Sequence, residues 1–83
     1  MNTHSPAVES YEISPRFRQT LEERIVRLER DADADALALP TLEHEDHIRR
    51  HQRLISVQRA EALRMRLFLD RARTRMQRPL IAL

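Results

Sequence analysis

Phe17, Leu21, Ile25, Leu28 and Ala32 recur at spacings of four, four, three and four, which places them on one face of a helix. Glu22, Glu23, Arg27, Glu29 and Arg30 fall off that face. Ser14 followed by Pro15 reads as an N-cap with proline at the first helical position, where its missing N–H costs nothing. The pattern predicts a first helix over residues 15–36, with its end lying between Arg30 and Ala38. In the stretch DADADALALP, alanine favours helix while Asp31, Asp33 and Asp35 oppose the dipole of a helix C-terminus, so fraying is expected there. Pro40 stops the element. Thr41 then reads as the N-cap of a second helix, with Glu43, Glu45 and Asp46 in its opening turns.

Residues 42–77 contain neither proline nor glycine. Ile48, Ile55, Ala62, Leu69 and Met76 recur every seven positions, and His51, Gln58, Met65 and Ala72 follow the first four by three. That is a coiled-coil-like seam, weakened by the polar His51 and Gln58 and widened on one flank by Leu54 and Phe68. A helix over 42–77 would be about 54 Å long against about 33 Å for the first. If the chain reverses at Pro40, the far end of helix two should overhang, exposing Met65, Leu67, Phe68, Leu69 and Met76. The expected architecture is all-α. A flexible arm (1–13) precedes a helical hairpin (14–78; helices 15–36 and 42–77), and an apolar tail (79–83) follows. Two hairpins should assemble into a dimeric bundle.

Composition sharpens this picture by exclusion. Glycine is absent, which removes phosphate-cradling loops and tight hairpin turns, and cysteine is absent, which removes disulfides and thiolate metal sites. No run approaches the roughly 20 apolar residues of a membrane span, and the first fifteen residues lack the pattern of a signal peptide, so a soluble, cytoplasmic chain is expected. All fifteen basic residues are arginine. Cut after His47, the chain divides into a half with five arginines against eleven acids and a half with ten against two. Such a split suits two halves that attract each other, an acidic protein partner, or nucleic acid.

Two strings invite a metal. His44, His47 and His51 could share one side of a helix start, but the four-apart pair His47 and His51 encloses IRR where a zinc-protease helix has E-x-x, and Arg49, Arg50 and Arg53 would repel a cation. Asp31, Asp33 and Asp35 match the opening of a calcium loop, yet Ala36 and Leu42 stand where that loop needs glycine and glutamate. Ser56 lies alone in mid-helix, with no histidine and acid in triad order. The reading is therefore a small non-enzymatic protein–protein interaction or adaptor/regulatory module, without cofactor or metal, that acts through an amphipathic basic helix, the second one. It would act as a homodimer through an apolar set of Met65, Leu67, Phe68, Leu69, Ala72 and Met76. A basic set, Arg49, Arg53, Arg64, Arg71, Arg75 and Arg78, would meet an acidic partner or, in the alternative reading, bind nucleic acid.

Overall fold

Ser14 has extended backbone and its Oγ accepts a hydrogen bond from the Phe17 amide at 3.1 Å, so helix α1 (Pro15–Ala38) opens with the expected cap and proline. The computed structural model describes residues 11–75. α1 continues through the whole alternating aspartate–alanine stretch. One of the aspartates that opposes the dipole is compensated, because Asp33 receives a hydrogen bond from Arg59 at 3.2 Å.

The turn differs from the sequence expectation. Thr41 does not cap the second helix: it ends a 3₁₀ turn (Leu39–Thr41), and its Oγ1 donates to the Ala38 carbonyl at 2.6 Å. The hydroxyl satisfies one of the carbonyls that α1 leaves open. Helix α2 (Glu45–Arg71) begins later, with His44 at the cap position making no side-chain capping bond and with Glu45 and Asp46 in the first turn.

α2 also stops at Arg71, short of the expected residue 77. Two short strands replace the helix end and part of the expected arm: β1 (Tyr11–Ile13) runs parallel to β2 (Ala72–Thr74), pairing Tyr11 with Ala72, Glu12 with Arg73 and Ile13 with Thr74. The Arg75 amide extends the ladder to the Ile13 carbonyl at 2.7 Å. Both segments alternate charged with aromatic, aliphatic or small residues, the period of a strand. The chain thus rises along β1, reverses at Ser14, descends as α1 and returns as α2. Residues 79–83 and Met76 lie outside the described residues.

The seam read from the heptads faces α1 of the same chain. Ile55, Ala62 and Leu69 are buried, while Ile48, His51, Gln58 and Met65 are half-buried. A cluster of Ile13, Ile25, Ala62 and Leu69 forms the core at the strand end, with Leu21, Leu28, Met65, Phe68 and Ala72 packed against it. The expected overhang is therefore absent from the described part of α2. α1 and α2 have 24 and 27 residues, and β1 returns over the end of α2. Two layers of one helix each still leave little interior: none of the described large side chains is fully enclosed, and two of the most deeply buried residues are Ala32 and Ala62.

Candidate partner-binding surface

The two broad faces of the hairpin are chemically different. On one, Arg66 of α2 holds Glu29 of α1 through Nε at 2.7 Å and Nη2 at 2.8 Å, and Arg59 holds Asp33. The hydrogen bonds from Arg66, and then its charge, hold the Glu29 carboxyl below its ordinary pKa, while the Glu29 hydrogen bonds raise that of Arg66. Leu63 and Val26 flank these pairs as isolated apolar residues.

The other face carries aromatic and aliphatic side chains. Leu54, Glu61 and Phe68 stand seven apart on one flank of α2, each beside the half-buried row of His51, Gln58 and Met65. At the strand end the Tyr11 ring stacks on Phe68, centroids 5.4 Å apart, and Phe17 meets Phe68 edge to face at 6.5 Å. Phe17, Leu21, Met65 and Phe68 line a shallow hollow there, rimmed by Glu61 and Arg64. A second hollow, at the turn end, is lined by Leu42, Leu54, His47, His51 and Arg50. Phe17 is 47% exposed and Leu54 46%, far from the state of core residues.

Of the apolar residues that the sequence singled out, Met65 and Phe68 line the first hollow and Ala72 lies half-buried in β2. Leu69 is turned into the core of its own chain and offers no surface to a partner. Leu67 is exposed, but it sits off the row that lines the hollows. The contributions of Phe17 and Leu21 from α1, and of Leu42 from the turn, were not foreseen as surface. Phe17 and Leu21 fit the buried stripe of α1 by spacing, and a core only two helices thick leaves them partly open.

Arg49, Arg53, Arg64 and Arg71 are all exposed along the outer side of α2, away from the seam. Arg49 lies 3.6 Å from Glu45 and Arg64 lies 2.6 Å from Glu61, while Arg75 beyond the helix approaches Glu12 at 3.8 Å. Arg78 lies outside the described residues. The ridge is interrupted by Val57, Ala60 and Leu67. Arg59 and Arg66, which the sequence reading passed over, are the arginines that join the helices.

His44 and His47 meet edge to face at 5.3 Å between centroids, but among the described residues no three His, Asp or Glu side chains gather as ligands. No helix among the described residues is long and apolar enough to cross a membrane. No known protein family, curated protein or solved structure matches this chain.

Proposed function

We propose that this chain is a non-enzymatic protein–protein interaction module that binds through the apolar face of its hairpin. The observation that carries the reading is the asymmetry of the two faces: on one, arginine–carboxylate pairs cross between the helices and separate the exposed Val26 and Leu63, and on the other Tyr11, Phe17 and Leu54 stand about half exposed around two apolar hollows. Contiguous exposed apolar surface of this kind marks contact sites in small proteins. Glu61, Arg64 and Arg50 supply the polar rim such a contact needs.

Leu54→Glu is the variant that tests it, since Leu54 lies outside the core cluster and is half exposed. The native and substituted chains serve as baits on the same cell extract, with an untagged copy of the chain included. Partners retained by the native bait should drop by about tenfold or more with the variant, the equivalent of about 1.4 kcal/mol at the contact. Equal recovery with both baits would refute the reading.

A second reading, nucleic-acid binding, rests on the exposed arginines along the outer side of α2. It requires affinity that falls steeply with salt as phosphate contacts release counterions. Gel shifts with random duplex and single-stranded probes at low salt decide it, and the absence of any shift removes it.

A further inference from the structure

The geometry points to a specific occupant of the apolar face: a second copy of this chain, stacked face to face with its helices reversed, so that the turn of each hairpin lies over the strand end of the other. The inference rests on the reading above, that this face is an interaction surface, and it adds the identity and orientation of the partner.

Charge is the first support. Divided in sequence between two halves, it is divided in the folded hairpin between two ends. The Arg59–Asp33 pair sets the level at which the turn end begins, and residues 31–60 hold six acids, Asp31 to Asp46, against Arg49, Arg50, Arg53 and Arg59. Residues 11–30 and 61–75, the strand-end half, hold ten arginines against six acids, so the strand end is net positive and the turn end net negative. A two-fold axis running across the helices, within the interface, sets each acidic end over a basic one. An axis running along the helices sets like ends together, which repel. Electrostatics therefore selects the reversed arrangement.

The hollows are the second support. One lies at each end of the same face, the first around Phe17 and Phe68 and the second around Leu42 and Leu54. Reversal brings the first hollow of one copy against the second of the other, and symmetry makes that contact twice. A partner with only one apolar patch would leave one hollow uncovered.

Gln58 is the third. It is the central residue of α2, with thirteen helical residues on either side. His51 and Met65 stand seven positions before and after it, and each lines one of the hollows, so Gln58 occupies the same face midway between them. Its Oε1 is buried with no donor to satisfy it. The reversed stack lays α2 on α2 of the other copy and places this residue at the two-fold axis. There two amides, each carrying a donor and an acceptor, can satisfy one another once they turn toward the interface. A polar pair at one position of an otherwise apolar seam fixes register and orientation.

The test begins with the native chain in sedimentation equilibrium at tens of micromolar. A dimer is expected, and it should weaken as salt rises, because salt screens the attraction between opposite ends. Because the chain has no cysteine, single thiols can be introduced cleanly. Under a mild oxidant Gln58→Cys should link to itself across the axis, whereas Ala60→Cys, on the exposed side of α2, should not. A native chain that stays monomeric overturns the inference, as does a dimer that strengthens with salt or in which Gln58→Cys, with helix content retained, fails to link. A monomer whose capture of some other protein still depends on Leu54 overturns self-pairing and leaves the interaction reading standing. A monomer with no such capture ends both.

Discussion

The Tyr11 ring lies stacked on Phe68, with 25° between the ring planes, so the first strand covers the aromatic end of the second helix. Tyr11 is the only tyrosine, and there is no tryptophan. Its near-ultraviolet circular dichroism therefore reports the docking of β1 on α2. Phe68→Leu should remove most of that signal with the far-ultraviolet helical spectrum retained. Tyr11→Ala should destabilise the hairpin by about 0.5–1.5 kcal/mol beyond the lost apolar area, measured by urea denaturation.

Acid should loosen the join between the helices. The pKa of Glu29 is lower in the folded chain than in the unfolded one, because Arg66 donates two hydrogen bonds to its charged form. A depressed carboxyl contributes stability that is complete above its unfolded pKa and disappears as pH falls through the folded one. Melting temperatures should hold from neutral pH to about 5 and then fall through about 4 and below. Glu29→Gln should flatten that fall. Coincident slopes for the two chains would show that the pair contributes nothing to acid stability.

The caps separate cleanly by substitution. Ser14→Ala removes the bond to the Phe17 amide and should cost about 1 kcal/mol in chemical denaturation. Thr41→Ala should cost less, since Thr41 caps no helix N-terminus. His44→Ser should raise stability by about 0.5–1 kcal/mol, because it supplies the side-chain acceptor that α2 lacks at its start.

Zinc should leave the melting temperature of the chain unchanged relative to chelator at pH 7.5. A metal bound by His44, His47 and His51 would add its binding free energy to folding. A rise of many degrees in the native chain, absent from His47→Ala, would overturn the assignment of these residues to the turn end alone.

Much of the architecture was written in the spacing of residues. The stripe of Phe17 to Ala32 and the heptads of α2 encode two helices and the faces by which they meet, and the Ser14–Pro15 pair encodes the start of α1. The ends of α2 were less legible. Thr41 has the chemistry of a cap, but the 3₁₀ turn after Ala38 makes its hydroxyl more useful to an open carbonyl behind it than to an amide ahead. Residues 72–75 continue the seven-residue pattern and are helix-compatible, so only a contact with a segment some sixty positions away, β1, turns them into a strand. The partly open apolar face was equally illegible. Phe17 and Leu21 lie on the stripe that marks a core, and their exposure follows from a core only two helices thick.

The parallel ladder between β1 and β2 also dictates how the chain responds to tension. Tyr11 stands at the lower end of the ladder and Arg75 at its upper end, because the two strands run in the same direction. A pull applied through both ends slides the strands past one another and loads their hydrogen bonds together, instead of opening them one at a time. The helices behind the ladder stay unloaded until it yields. In single-molecule pulling through residues 11 and 75, the chain should therefore give way in one abrupt step at this ladder before α1 and α2 separate.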